Sequence, residues 1–198
     1  MLPCNAGGKA GIKRIETGEN IMIEDFVKVK DVDKETIEKY RGKLPDEYLE
    51  IWQEHGYCTF YNGYLKIIDP EEYQALLERS YFLGNVSIPI MATAFGDIIT
   101  WEKDEFLGIV KYRYGDNDVI QARFKYFMMD VEFGELDEEF FTIEQYDEAV
   151  EKYGELEYDE CFGYVPLLAL GGNESVNNLK KVKMKEHIAL IYNMVGEI

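Results

Sequence analysis

Few residues of this chain have the types and spacing that catalysis or metal binding requires. The 198 residues include two histidines and three cysteines, and neither set shows the spacing of a zinc site or the order of a catalytic triad. His55 falls on the apolar stripe of a predicted helix, where a packed core histidine is expected. Carboxylates are abundant, so an enzyme with a carboxylate acid/base pair remains an alternative, but none lies in a recognisable catalytic context. We predict no catalytic residue, no metal site and no cofactor.

Two glycine-rich stretches could bind a phosphate group. Residues 5–10 (NAGGKA) lack the GxxxxGK[ST] spacing and follow no predicted strand, so a flexible extension over residues 1–20 is expected instead. Gly171 and Gly172 lie between a predicted strand and a predicted helix start, which is the geometry of an anion site. A plain tight turn needs the same glycines and is the simpler prediction.

Negative charge dominates the composition and is unevenly distributed. The formal net charge is −18, and residues 130–160 hold −13 of it, with fourteen acids and one base, Lys152. The fourteen acids are Asp130, Glu132, Glu135, Asp137, Glu138, Glu139, Glu144, Asp147, Glu148, Glu151, Glu155, Glu157, Asp159 and Glu160. Such a segment disfavours direct binding to nucleic acid, because phosphates are also negative. It favours a basic partner protein attracted over a long range, with plain solubility as the alternative.

Part of this acidic segment is predicted to be a helix with a solvent-facing acidic side. Residues 143–153 have the helical period, and Thr142 with Gln145 would form a capping box. The outward acids of this helix repel one another, which folding alone does not require. We therefore predict a protein-binding surface made of the outward acids and the acids just before the helix. Its residues are Asp137, Glu138, Glu139, Glu144, Asp147, Glu148 and Glu151.

The elements that would position this surface indicate an α+β fold. Helices are predicted after Leu44 and after an Asp69 N-cap, with a hairpin over residues 57–68 between them. Period-two patterns predict strands at residues 88–94, 98–102, 106–114 and 119–129, which gives a mostly antiparallel central sheet with helices packed around it. Residues 163–170 are predicted as a buried core strand. Residues 176–195 are predicted as helical with a break near Val182.

Basic residues group in two places. The strand register would put four bases on one outer face, where they would dock the chain's own acids or face solvent, with RNA binding as a weaker alternative. These four are Lys111, Arg113, Arg123 and Lys125. The lysines of residues 180–185 would balance nearby acids.

The remaining features bear on location and on a third function class. No apolar run approaches the length of a membrane span, no signal-type segment is present, and an odd number of unpaired cysteines fits reduced thiols. A cytoplasmic protein without membrane contact is expected. A scaffold or small-ligand sensor would instead require a large apolar pocket lined by tyrosines such as Tyr57, Tyr64 and Tyr112.

Several segments together resemble a bacterial toxin-immunity family. Residues 44–73 (LPDEYLEIWQEHGYCTFYNGYLKIIDPEEY) and 92–102 (ATAFGDIITWE) resemble the GAD-like domain. Residues 154–172 (GELEYDECFGYVPLLALGG) and 178–191 (NLKKVKMKEHIALI) resemble the C-terminal domain of type VI secretion DNase-immunity proteins, and the wider family is loosely SUKH-like. We predict a GAD-like domain over residues 21–129 and an immunity-type domain over residues 130–198, sharing one compact unit.

This resemblance implies a function without chemistry. The chain would be a cytoplasmic immunity protein that binds the nuclease domain of a cognate toxin and covers its active site or DNA groove. The family does not specify which residues make the contact, so the seven acidic residues above rest on charge and predicted exposure alone.

Overall fold

An antiparallel sheet of seven strands forms the centre of the protein in the computed structural model, which describes residues 23–198. The strands lie side by side in the order in which they occur along the chain. They are β1 (Val27–Lys30), β2 (Tyr57–Phe60), β3 (Leu65–Ile67), β4 (Ser87–Thr93), β5 (Ile98–Glu102), β6 (Phe106–Lys111) and β7 (Asp116–Ala122). The predicted phosphate-loop alternative and the flexible extension fall on residues 1–20, outside the described residues.

Helices cover both faces of this sheet, because its inner strands are apolar at consecutive positions. Ile99 and Ile109 pack into one apolar cluster, while their neighbours Ile98 and Val110 pack into the other. The helices are α1 (Lys34–Tyr40), α2 (Asp46–His55), α3 (Pro70–Ser80), α4 (Phe124–Phe133), α5 (Ile143–Tyr153) and α6 (Met184–Val195). Helices α2, α4 and α5 contribute to the first cluster, and α3 and α6 to the second. The predicted α+β fold is confirmed.

A second, two-stranded sheet pairs β8 (Glu160–Tyr164) with β9 (Leu179–Lys183). Phe162 of β8 joins the same apolar cluster as Trp52 of α2, and its amide donates to the carbonyl of Ala94 at 2.7 Å. The N-terminal and C-terminal halves therefore share one hydrophobic core.

Local sequence signals that need no distant partner are confirmed. Asp69 caps α3 by accepting a hydrogen bond from the amide of Glu71 at 2.9 Å, and Pro70 occupies the first helical turn. The hairpin over residues 57–68 is present, and because Phe60 pairs with Leu65 its loop has four residues. Helix α5 ends at Gly154, as the sequence predicts.

The predicted strand over residues 119–129 is wrong in its second half. Strand β7 ends at Ala122, and Phe124–Phe133 is a helix whose buried residues are Phe124, Phe127, Met128 and Val131. These positions have the spacing i, i+3, i+4 and i+7 of one helix face. The alternating pattern that predicted a strand came from Ile120, Ala122, Phe124 and Tyr126, and Tyr126 is 47% exposed on this helix.

The predicted core strand over residues 163–170 is also wrong. The strand lies earlier, at Glu160–Tyr164, and residues Leu168–Leu170 form a 3-10 turn in which Leu170 is 61% exposed. Pro166 has no amide to donate to a strand ladder, and β9 pairs only with the residues before it.

The prediction of a broken helix over residues 176–195 needs a similar correction. A 3-10 turn (Val176–Asn178) and strand β9 precede helix α6, which begins at Met184. Pairing with β8, a partner distant in sequence, makes residues 179–183 extended.

Candidate functional site

The candidate site is built where a short π-helical turn leads into α5. The π-helical turn spans Asp137–Phe141 and is held by the buried rings of Phe140 and Phe141. Helix α5 buries Tyr146 and Ala149, which turns its acidic face outward. The acids of α5 therefore face solvent because the apolar residues between them are buried.

These elements form an open concave surface of about 890 Å³, here called the acidic concavity. Seven of its ten lining residues are acidic and none is basic. The lining residues are Asp137, Glu138, Thr142, Ile143, Glu144, Gln145, Asp147, Glu148, Glu151 and Glu174. Such a concavity concentrates negative potential and attracts cationic groups.

Six of the seven residues predicted for the binding surface line the acidic concavity. The seventh, Glu139, is exposed but does not line it, and its carbonyl accepts a hydrogen bond from Lys111 at 3.3 Å. Glu174 completes the lining and was missed by the sequence reasoning, because it follows the turn after β8 and no local pattern links it to α5. Tyr114 donates a hydrogen bond to its carboxylate. A role in binding stays a prediction for all of these residues.

The carboxylates of the acidic concavity have no cationic partner within 4 Å among the described residues. The acids that follow α5 differ. Lys183 lies 2.8 Å from Asp159 and 3.8 Å from Glu160, and Lys181 donates to the carbonyl of Glu155. The predicted balancing role is confirmed for Lys183 and also for Lys185, which lies 2.7 Å from Glu72, whereas Lys180 and Lys181 form no ion pair with a described carboxylate. Seven carboxylates without a cationic partner among the described residues therefore line one concave surface.

Asp137 forms the inner wall of the acidic concavity and is partly withdrawn from water. Its carboxylate accepts a hydrogen bond from the hydroxyl of Tyr61 at 2.6 Å. Partial burial raises the pKa of Asp137, the negative charge of Asp147 raises it further, and the Tyr61 hydrogen bond opposes both. Asp137 thus couples the concavity to the loop between β2 and β3.

Thr142 lies on the floor of the acidic concavity, among its lining residues. It does not have the predicted capping-box geometry. It adopts a left-handed conformation (φ 53°), and its hydroxyl donates to the carbonyl of Phe141 at 2.6 Å. Its oxygen accepts from the guanidinium of Arg113 at 3.3 Å, while Gln145 accepts from the hydroxyl of Tyr164. Both side chains of the predicted box are thus used in tertiary contacts.

A buried ion pair lies directly beneath this floor. Arg113 contacts Asp97 at 3.2 Å, with both side chains almost fully enclosed, and its guanidinium lies 4.2 Å from the centre of the Phe95 ring. Burial raises the pKa of Asp97, and the charge of Arg113 opposes that rise. The predicted exposed face of four bases, and with it the RNA surface, is therefore wrong, although Arg113 does dock one of the chain's own acids, as the first of the two alternatives predicted.

Lys66 anchors the chain that leaves α5. This buried side chain extends from β3, and its ammonium donates to the carbonyls of Glu157, Tyr158 and Glu160. Tyr158 returns a hydrogen bond to the carbonyl of Ile67 at 2.6 Å. Burial lowers the pKa of Lys66 to about 8, with neighbouring acids opposing the shift.

We expect Lys66→Met to lower the free energy of unfolding by about 2 kcal/mol, because buried carbonyls lose their donor. Urea denaturation measures this, with Lys181→Met as the control, since Lys181 is exposed and donates to one carbonyl. A loss no larger than that of the control would contradict the anchoring role.

The difference in free energy of unfolding between the wild type and Lys66→Met should also depend on pH. The folded pKa of Lys66 is about 8, below the ordinary value of 10.5, so above pH 8 the unfolded chain binds more protons at this site. Stability of the wild type relative to Lys66→Met should therefore rise from pH 8 to pH 9.5, by at most about 1.4 kcal/mol per pH unit. A flat difference would show that Lys66 keeps its ordinary pKa.

Among the described residues, the two cysteines and the Gly171–Gly172 turn have structural roles. Cys58 and Cys161 are buried free thiols, and burial raises the pKa of each to about 12. No group of three or more His, Cys, Asp or Glu residues in the described part of the chain could hold a metal ion. The amides of Gly171 and Gly172 donate to the carbonyls of Leu168 and Leu167, so neither is free to hold an anion.

The tyrosines proposed for a sensor pocket belong to the core. Tyr57, Tyr64 and Tyr112 are all buried. The hydroxyl of Tyr64 donates to the carbonyl of Phe141, and that of Tyr112 lies 2.7 Å from the Ser80 hydroxyl. Their role here is packing.

Comparison with a solved structure defines the class of fold. The crystal structure of Atu4351 from Agrobacterium tumefaciens is similar to this chain, with a TM-score of 0.68 and 18% sequence identity. The similarity covers 82% of this chain and 81% of that protein. At this identity it concerns the fold alone. No curated protein sequence gives a significant match.

Family models match two successive parts of the chain. Residues 19–111 match the GAD-like domain, and residues 121–195 match the family described as T6SS immunity protein Tdi1, C-terminal. The chain carries the two in this order, which confirms the resemblance predicted from the sequence. The second match supports an immunity role. No helix in residues 23–198 has the length and apolarity needed to cross a membrane.

Proposed function

We propose that this chain is an immunity protein that binds the nuclease domain of a cognate secreted toxin and neutralises it by covering its basic DNA-binding or active-site surface. The observation that carries the proposal is the acidic concavity, whose carboxylates have no cationic partner within the described residues. The match of residues 121–195 to an immunity family supports it, since the concavity lies within that segment.

The proposed mechanism is occupancy without catalysis. A nuclease holds DNA with cationic side chains, and these are the groups that unpaired carboxylates attract. Leaving the carboxylates unpaired costs the free protein some repulsion between like charges, which a basic partner would relieve. The proposal places this encounter in the cytoplasm, where the buried free thiols of Cys58 and Cys161 would stay reduced.

The proposal is tested with the product of the gene adjacent to this one, which we expect to carry a nuclease domain. We expect the purified chain to abolish DNA cleavage at a molar ratio of about one to one. We also expect added salt to slow association, because screening weakens steering between opposite charges. Stopped-flow association at 50 and 500 mM NaCl measures this. Full cleavage at excess chain would contradict the function, and a salt-independent rate would contradict the electrostatic mechanism.

A further inference from the structure

An exposed apolar patch lies beside the acidic concavity. Its residues, here called the α6 patch, are Tyr114, Leu170, Leu190, Met194 and Val195. Leu190 and Met194 are four positions apart on α6 and are 46% and 57% exposed. Single exposed apolar residues are ordinary, but a contiguous group on a folded protein marks an interaction surface.

Two contacts show that the segments carrying these residues pack side by side. A Cβ placed on Gly115, the residue after Tyr114, would lie 3.6 Å from Val195, so the turn after β6 packs on the end of α6. Ala169 and Ile191 line the same small cavity, so the 3-10 turn that ends at Leu170 lies against α6. The patch therefore joins three segments that are distant in sequence.

Tyr114 joins the patch to the acidic concavity. Its ring belongs to the patch, and its hydroxyl donates to Glu174, which lines the concavity. The Arg113 guanidinium lies 4.8 Å from the centre of the Tyr114 ring, which helps to hold that ring in place. An aromatic side chain already ordered at the edge of a charged surface loses little entropy on binding.

We infer that the α6 patch and the acidic concavity form one docking surface, and that the patch packs against apolar side chains flanking the basic surface of the nuclease domain. This inference rests on the proposed function. The acidic surface next to the patch favours a basic nuclease domain as the partner. A second copy of the chain is disfavoured, because it would bring its own carboxylates against that surface. The two parts have separate tasks: carboxylates speed the encounter, and apolar contacts slow dissociation.

The test is Leu190→Gln combined with Met194→Gln. Both side chains are exposed and glutamine suits a helix, so folding is preserved. With the nuclease domain that the wild-type chain inhibits as the probe, we expect the dissociation rate to rise about tenfold, with the association rate and its salt dependence nearly unchanged. The control is Val27→Thr with Val29→Thr, which replaces exposed apolar residues of β1 and should change neither rate.

Each outcome decides the inference. An unchanged dissociation rate in the α6 variant would overturn it while leaving the proposed function intact. Loss of a dimer of the free chain without any change in nuclease binding would assign the patch to a second copy and would also overturn it. Absence of binding by the wild type would refute the proposed function itself, and the inference with it.

Discussion

Neutralising three acids of the concavity, with Glu144→Gln, Asp147→Asn and Glu148→Gln combined, should weaken binding to the nuclease domain about 100-fold. All three line the concavity and have no cationic partner within the described residues. Each charge that meets a cationic side chain of the partner contributes on the order of 1 kcal/mol, and steering adds to the association rate. Surface plasmon resonance or stopped-flow fluorescence would measure both rates.

The triple variant should bind more weakly without being less stable than the wild type. Glu144 and Glu148 are four positions apart on α5, and Asp147 raises the pKa of Asp137, so these charges repel one another in the free protein. Removing them should leave the free energy of unfolding unchanged or raise it by a few tenths of a kcal/mol. Weaker binding therefore cannot be ascribed to unfolding.

The matched control changes the same amount of charge elsewhere. Glu47, Glu50 and Glu54 are exposed on α2, away from the lining residues of the concavity. Replacing all three with Gln should reduce the association rate only slightly, through net charge. Equal losses for the two triple variants would show that net charge, and not the concavity, attracts the partner.

Arg113→Met should be the most destabilising single substitution that we predict, with a loss of about 3–5 kcal/mol in the free energy of unfolding. The substitution leaves Asp97 enclosed without its counter-ion, and one Asp97 oxygen has no hydrogen-bond partner even in the wild type. It also removes the contact with Thr142 on the floor of the concavity. Urea denaturation at pH 7 measures the effect.

Two further variants separate charge from packing. Arg113→Met combined with Asp97→Asn should recover much of the loss, because no buried charge is left unpaired. Arg79→Met, which removes an exposed arginine, should cost less than about 0.5 kcal/mol. A double variant no more stable than Arg113→Met would indicate that the arginine acts mainly through its stacking on Phe95.

The pH dependence of Arg113→Met follows from the direction of the Asp97 pKa. Burial raises that pKa, and removing Arg113 removes the charge that opposes the rise. Above the raised pKa the folded protein must keep a buried carboxylate ionised, whereas below it the folded state binds the proton more tightly than the unfolded state. The difference between wild type and variant should therefore shrink as the pH falls from 7 toward 5.

The similarity to Atu4351 at 18% identity shows that very different sequences adopt this fold. The α6 patch and the acidic concavity both lie on the surface, where substitutions away from special contacts usually cost little stability. Substitutions on either surface should therefore leave the fold intact.

The sequence by itself determined the features that depend on nearby residues. Asp69 and Pro70 start α3, and the apolar spacing of α5 directs its acids outward, because capping and helical periodicity act within one or two turns. For the same reason six of the seven predicted surface acids do line one concavity. The family resemblance was likewise carried by contiguous segments.

Tertiary structure decided what depends on distant partners. Residues 179–183 are a strand because β8 pairs with them, and Arg113 is buried because Asp97 and Thr142 enclose it. Glu174 reaches the concavity, and Tyr114 reaches Glu174, across separations that no local pattern records. Hydrogen bonds and burial between segments far apart in the chain outweigh local preference by several kcal/mol at such sites. The sequence therefore predicted the acidic helix, and the fold supplied the concavity and the apolar patch beside it.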